Sequence, residues 1–355
     1  MAFYTSMSQV LFPLIWCSIL ICLSSGFPTS ESSVSLSKAE QDFEMFQQWM
    51  AEHGRVYPNS EESNTRFQIF QRNLKYITET NAKRFKSPSG YRLGLNKFAD
   101  MSPEEFTQTY LHPLEVPATI TPASSSTGYV QQKDSCAPPS TMDWRKQGVV
   151  TPVKDQQSCG SCWAFGATGA LESIYAITTR KLVSLSEQEL VDCDPLSQGC
   201  AGGWPHNAFK WVIQNGGISK EEDYPYVSQQ GPCKANMHDG DKVVKISSYS
   251  KIPESDDALL CAASKQPVPV AFNATDLRFY ESGVYDGENC PEDSTGVTHV
   301  ALIVGYDSKN GTDYWIAKNS WGENWGMNGY FFIKRNTNLP HGVCALNAWA
   351  YVPNM

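Results

Sequence analysis

The chain of 355 residues predicts an α+β protein, and three observations lead to that class. Apolar residues recur at helical spacing through residues 39–86 and again beyond Cys162, whereas the last third carries runs of β-branched and aromatic residues set between Gly and Asn turns. A stretch rich in Pro, Ser and Thr separates the first helices from the larger C-terminal part. With 41% hydrophobic and 18% charged residues, the composition is that of a globular chain of one large or two ordinary domains.

Taken in order, "LFPLIWCSILICLSS" from Leu11 is an apolar run of about 15 residues, the length of a signal-peptide core rather than a membrane span. Cleavage near Ser25 or Gly26 leaves residues 1–26 as a signal peptide and sends the rest into an oxidising compartment. Phe43, Phe46, Trp49 and Met50, then Phe67, Phe70, Leu74 and Ile77, mark two helices that Gly54 and Pro58 break apart. Ser102-Pro103 opens a short helix. "LEVPATITPASSSTGYVQQKDSCAPPS" then reads as an exposed linker, with a protease-accessible boundary near residues 130–137. Beyond it, "SCWAFGATGALESIYAITTRK" and "LSEQELVDC" read as helices, and "HVALIVGYD", "DYWIAKNSW" and "GYFFIKRN" as buried strands. The expected division is a mainly helical half over 137–245 and a mainly β half over 246–355.

The formal net charge is -9, and downstream of Ala137 there are 17 Lys and Arg against 24 Asp and Glu. Such a surface is unsuited to nucleic acid. Of 11 cysteines, Cys17 and Cys22 leave with the signal. An odd number remains, so at least one thiol has no partner.

The C-x-x-C pair in "SCGSCWAF" has three readings: a redox dithiol, half of a zinc site, or a structural cysteine beside a nucleophile. No compact βαβ unit surrounds it, Cys193 and Cys200 are wrongly spaced for a second zinc pair, and no H-x-x-x-H lies downstream. A nucleophilic thiol needs a base, a group orienting the base and an oxyanion donor. Candidates exist for each: Cys162, His299 at 137 residues downstream, Asn319 at 157, and Gln156 just upstream. Alone, each has a plainer explanation: a disulfide half, a core histidine, a turn residue, a loop amide. Together they form one pattern.

The chain resembles the papain-like cysteine proteases, in particular the plant and cathepsin L-like branch. Glu62, Arg66, Phe70, Asn73, Ile77 and Asn81, then Gly94, Asn96, Phe98 and Asp100, match that branch's propeptide motifs. "DWRKQGVVTPVKDQ", "SCGSCWAF", "SLSEQELVDCD", "GCAGGW", "THVALIVGY" and "KNSWGENWG" come next in the family's order. The resemblance implies a two-domain fold, helical on one side and β-barrel-like on the other, with the active-site cleft between, preceded by a helical inhibitory propeptide over 27–136 and a peptidase domain over 137–355. It implies an endopeptidase made as an inactive proenzyme and working without a cofactor or metal. Its partners would be protein and peptide substrates, its own propeptide and cystatin-type inhibitors, and the enzyme would be a monomer.

Residue by residue, the resemblance makes Cys162 the nucleophile, its thiolate favoured by the N-terminus of a helix and by the imidazolium of His299. Asn319 orients the imidazole, Trp321 shields that bond from water, and the Gln156 amide with the Cys162 N–H forms the oxyanion hole. It pairs Cys159 with Cys200, Cys193 with Cys233 and Cys290 with Cys344; Cys136 and Cys261 have no family partners, so a fourth bridge and two free thiols both stay open. Gly202 and Gly203 would let a substrate backbone approach, while Trp204, Pro205, Ala271, Val297, Val300 and Trp349 would line the apolar pocket for the residue two before the cut. A large Trp349 there favours compact aliphatic side chains; its turning into the core is the alternative. Gln157 stands where the family has Gly, and Thr298 where it has Asp or Asn. These departures keep a second class in view, a catalytically impaired relative acting in storage, defence or binding.

Glu62 and Arg66 are spaced for a helical ion pair, and the segment after Asp100 is expected to run through the cleft until acid protonates carboxylates such as Asp100. N-x-[ST] sequons at Asn273 and Asn310 are candidate glycan acceptors, the latter in an Asn-Gly turn. No K-D-E-L ends the chain, which fits secretion or delivery to a vacuole or lysosome.

Overall fold

The helical spacing of residues 39–86 is realised as α1 (Lys38–Glu52) and α2 (Ser60–Arg84) in a computed structural model of the chain, which describes residues 36–87, 89–114, 136–235, 242–290 and 293–355. The expected signal peptide and linker residues 115–135 lie outside the described residues. The described residues up to Gln41 and those from Asp42 to Met355 belong to two compact units. In the first, Ser37 and Glu40 each accept the other's backbone N–H, which closes the start of α1.

In the second unit, Asn59 caps α2 by accepting the Glu62 N–H, and α3 (Pro103–Tyr110) opens on a complete capping box between Ser102 and Glu105. The expected ion pair forms: Arg66 lies 2.7 Å from Glu62, and it reaches Glu105 at 2.9 Å as well, tying α2 to α3. Asn73 donates to the carbonyls of Ala99 and Met101, and Asn96 to that of Arg278. The propeptide asparagines therefore satisfy buried backbone, within the segment and across to the peptidase part.

The remaining helices are α4 (Cys162–Thr179), α5 (Glu187–Cys193), α6 (Pro205–Gln214) and α7 (Asp256–Ala263). The strands are β1 (Arg92–Leu93), β2 (Met142–Asp143), β3 (Ser248–Lys251), β4 (Val268–Phe272), β5 (Tyr280–Ser282), β6 (Val284–Tyr285), β7 (His299–Lys309), β8 (Thr312–Lys318), β9 (Tyr330–Lys334) and β10 (Trp349–Asn354). One sheet runs β3-β10-β4-β7-β8-β9-β6 with β2 added on β7; it is antiparallel except for the β6–β9 pair. The β half is built on this one sheet as expected, and the sheet is open: its edge strands β3 and β6, four and two residues long, do not pair with each other.

The contact that positions the site is between α4 and β7. A Cβ on Gly166 would lie 2.5 Å from Val300, and one on Gly169 would lie 2.8 Å from Leu302, so only glycines let the helix axis come this close. Since Gly166 meets Val300 and Gly169 meets Leu302, helix and strand run side by side from the same end. Their first residues, Cys162 and His299, are thereby brought together.

Cys159–Cys200, Cys193–Cys233 and Cys290–Cys344 are joined as the resemblance implies. The question left open at Cys136 and Cys261 is answered by a fourth bridge, with Cα atoms 5.9 Å apart. Cys162 is the free cysteine among the described residues, and it is buried. No helix of the described residues is long and apolar enough to cross a membrane.

Candidate active site

Cys162 is the first residue of α4, where backbone N–H groups point outward with no helical acceptor. His299 is the first residue of β7, held from behind by the Thr298 N–H on the Phe272 carbonyl at 3.0 Å. The backbone N–H of Val300, the residue after His299 in β7, acts on the thiol of Cys162 at the start of α4 and favours its ionised form.

His299 Nε2 donates to Asn319 Oδ1 at 2.8 Å. That oxygen also accepts the Ser320 N–H at 2.8 Å, so the oxygen rather than the amide nitrogen faces the ring. Nε2 therefore carries the hydrogen, and Nδ1 keeps its lone pair. Nδ1 is buried without a hydrogen-bond partner among the described residues. Trp321 is fully buried with its ring 4.7 Å from the imidazole, which keeps water off the His299–Asn319 bond. It lies over the histidine.

Gln156 is fully buried and makes five hydrogen bonds. Its N–H donates to Ser320 O, its Oε1 accepts the Ser320 hydroxyl, its Nε2 donates to Cys159 O, and its carbonyl accepts both the Tyr226 hydroxyl and the Cys159 N–H. One of its two amide hydrogens makes no hydrogen bond among the described residues. Gln157 has φ 53°, in the region glycine enters freely, which costs a non-glycine residue on the order of 1 kcal/mol. Its N–H donates to Asp155 Oδ1 at 2.9 Å and thereby offsets part of that cost.

The cleft is occupied by the propeptide. His112 N–H donates to Thr298 O and Leu114 N–H to Val297 O, each at 3.1 Å. Opposite them, a Cβ on Gly160 would lie 2.3 Å from His112 Nδ1, and one on Gly202 would lie 3.9 Å from Leu114. Residues 112–114 are thus sandwiched between the two walls, and Phe98 and Phe106 close edge-to-face on Trp321 at 5.7 and 5.4 Å. Leu114, expected as the start of an exposed linker, is buried. An extended segment that pairs across a cleft leaves no local period by which to recognise it.

This cover sets the charge state. Burial pushes the Cys162 thiol up to about 12, against the N–H groups of Val300, Trp163 and Cys162 itself. Burial also pushes His299 down to about 4; the bond to Asn319 opposes this and His112 adds to it. Instead of the expected thiolate and imidazolium, the covered site holds a neutral thiol and a neutral imidazole, because desolvation outweighs the helix N-terminus.

Trp204 and Trp349 pack with ring centroids 5.1 Å apart, and Ala271 pairs across strands with both Val300 and Trp349. The Trp349 N–H donates to Ser294 O at 2.8 Å, and its indole is buried against Trp204. Pro205 starts α6 beside Trp204. Gly202 has φ 120°, which requires glycine, and a Cβ on Gly203 would strike Trp163 at 2.6 Å. Asn273 is buried, and its amide donates to Gly296 O at 2.7 Å. Asn310 is exposed in its turn. Among the described residues no cluster of His, Cys, Asp or Glu is arranged to hold a metal.

His112, Ser320 and Tyr226 carry no mark of the site in the sequence that compares with the motif residues. A signal existed only for Ser320, next to Asn319; the other two reach the site by loop paths without a motif.

Residues 138–354 match the papain family cysteine protease profile, and residues 46–106 match the cathepsin propeptide inhibitor domain. A probable thiol protease of Glycine max is 46% identical over 345 residues, covering 92% of this chain and 90% of its own. Vignain of Phaseolus vulgaris is 42% identical over 321 residues, covering 88% and 85%. The solved recombinant stem bromelain precursor superposes with a TM-score of 0.80 at 36% identity, covering 89% of this chain and 99% of its own.

Proposed function

The chain belongs to the papain family of cysteine proteases and carries a cathepsin-type inhibitory propeptide, and on that footing we propose that it is an endopeptidase in which Cys162, His299, Asn319 and Gln156 perform the chemistry. Once the propeptide leaves, water enters the cleft, and the thiol proton moves to His299 Nδ1. The Cys162 sulfur attacks the peptide carbonyl carbon, and the oxyanion is met by the Cys162 N–H and the free Gln156 amide hydrogen. The imidazolium gives its proton to the departing amine, which breaks the C–N bond and leaves a thioester. Water, deprotonated by the same nitrogen, hydrolyses that thioester and restores the thiol. Asn319 keeps Nδ1 as the reacting nitrogen throughout.

The observation that carries this reading is the fixed tautomer of His299 beside a free, buried Cys162. Leu114 supports the substrate preference, since the chain's own occupant of this side of the cleft is a compact aliphatic residue facing Gly202. A substrate scan should therefore favour Val, Ile or Leu two residues before the cut, and preference for Phe or Arg would count against it. The division into propeptide 27–136 and peptidase 137–355, a monomeric state, inhibition by cystatin-type proteins, a glycan on Asn310 and a vacuolar, lysosomal or extracellular destination belong to the same proposal. Four disulfides suit such compartments.

The test is labelling with a thiol-directed epoxide. The acid-treated protein should take up one equivalent at Cys162, Cys162→Ala none, and the intact proform at neutral pH little. An acid-treated protein that reacts no faster than free cysteine would favour an impaired relative.

A further inference from the structure

We propose that Tyr226 is a positioning residue for the oxyanion site: its single hydroxyl fixes the distance between the two ends of the loop that carries the oxyanion donors. This rests on the reading that Gln156 and Cys162 supply those donors.

Between them runs a loop, residues 157–161, that begins at the left-handed Gln157 and ends at Ser161. The disulfide to Cys200 anchors its middle at Cys159. Its ends are joined elsewhere. The Tyr226 hydroxyl lies 2.8 Å from the Gln156 carbonyl and 2.7 Å from the Ser161 hydroxyl. A carbonyl only accepts, so Tyr226 donates to Gln156 and accepts the hydrogen of Ser161 at 2.7 Å, a shorter contact than the 3.4 Å from Ser161 Oγ to the Cys159 carbonyl. The proton order along Ser161, Tyr226 and Gln156 is thereby fixed.

Ser161 strengthens the case. It occupies the N-cap of α4, where a serine hydroxyl ordinarily accepts a helix N–H, yet it makes no such bond. Its hydroxyl points to Tyr226 instead, which leaves the N–H groups of the first turn, that of Cys162 among them, without a side-chain competitor. Tyr226 is itself held. Its ring meets Phe165 of α4 edge-on at 5.0 Å, and its N–H donates to Glu221 Oε1 at 2.8 Å. Burial raises its phenol, so it stays a donor throughout the pH range of the chemistry. With Gln157 where a glycine would relax freely, the bridge supplies a restraint that this loop needs.

Tyr226→Phe removes the hydroxyl and keeps the ring on Phe165. Relative to the activated parent enzyme, kcat should fall about tenfold with KM within twofold, the size of a weakened oxyanion contact. Inhibition by a peptide aldehyde, whose thiol adduct carries an oxyanion, should weaken by the same factor. Alkylation of Cys162 by iodoacetamide needs no oxyanion site, so its rate and pH profile should not change. Ser161→Ala should reproduce the pattern, and the two substitutions together should cost little more than either. Gln157→Gly in the Tyr226→Phe background should recover part of kcat. Unchanged kcat and aldehyde affinity would overturn the proposal. So would an alkylation rate that falls in parallel with kcat, which would mean that the hydroxyl supports the thiol–imidazole pair or the fold at large. Gln156→Ala separates the parent reading: if it leaves kcat intact while Cys162 still alkylates, the donor assignment fails, whatever Tyr226 does.

Discussion

Two sets of buried ionisable groups meet near Asn319, and burial treats them differently. Lys154, Glu172, Glu187 and Lys318 line a small cavity beside it. There Lys154 lies 2.7 Å from Glu187 and 3.3 Å from Glu172, and Lys318 donates to Thr151, which donates to Glu172. Burial works to raise Glu172, but Lys154, Lys318, Thr151 and the Leu185 N–H outweigh it and hold the carboxyl below its usual range. Glu187 shares Lys154 with Glu172, and burial with that second carboxylate pushes it up to about 8. Among the described residues no counter-charge faces Cys162 or His299, and burial turns both neutral. A buried charge survives in proportion to the cations facing it, and the catalytic pair lacks one only while the propeptide keeps water away.

The largest effect should come from breaking the paired set. Lys154→Met leaves the Glu172 carboxylate and the Glu187 side chain with Lys318 alone, and the fold should lose about 3 kcal/mol or more. Urea unfolding of the Cys162→Ala proform, which cannot digest itself, measures it; an unmoved midpoint would mean that the cluster is no more demanding than the cleft.

The unpaired set should respond to pH. His299 is at about 4 in the covered cleft and at its ordinary 6.5 once exposed, so the open form binds more protons. The closed form's advantage is then complete above pH 6.5 and shrinks as pH falls toward 4, by at most about 3 kcal/mol. Hydrogen exchange at residues 111–114 of the Cys162→Ala proform should accelerate over this window. His299→Gln with His112→Gln should flatten the response. If acid still opens that double variant, carboxylates such as Asp100 are the trigger and the comparison is wrong on this side.

Leu114 connects burial to latency. Leu114→Ala should weaken propeptide closure by about 2 kcal/mol, the loss for truncating a buried leucine at the low end. Epoxide labelling of the proform at neutral pH should rise accordingly, and labelling as slow as in the parent would show that the aromatic lid of Phe98 and Phe106 suffices.

How much of this was legible in the sequence depends on where each signal resides. Cys162, His299, Asn319 and Gln156 announce themselves because each lies in a run of specific neighbours, and Gly166 and Gly169 sit on one face of a recognisable helix. β4 was harder: "VPVAF" is buried at every position and holds a proline, so it shows no alternation. α6 had a usable signal in Pro205 with Phe209 and Val212, a helix-opening proline ahead of apolar residues on one face. His112, Leu114 and Tyr226 act through tertiary approach alone. Nothing in "LHPLEVP" or "YPYV" encodes which wall it will meet.

The smallest expected effect tests whether the unpaired state is tuned from next door. Thr298 sits beside His299 without a charge: its N–H is on Phe272 O, and its hydroxyl accepts the Ala274 N–H at 3.2 Å. A carboxylate there would favour the imidazolium in the opened enzyme and so hold the catalytic pair in its charged form. Thr298→Asp should therefore move the pH limbs of kcat/KM by about half a unit to one unit. Because that side chain already lies against the Ala274 N–H, the aspartate would accept this bond and spread part of its charge, which keeps the shift small. Ionic strength offers the check. Salt should shrink a through-space shift and leave a change of packing untouched, so a pH profile identical to the parent's at low salt would show that position 298 does not set the charge of the pair.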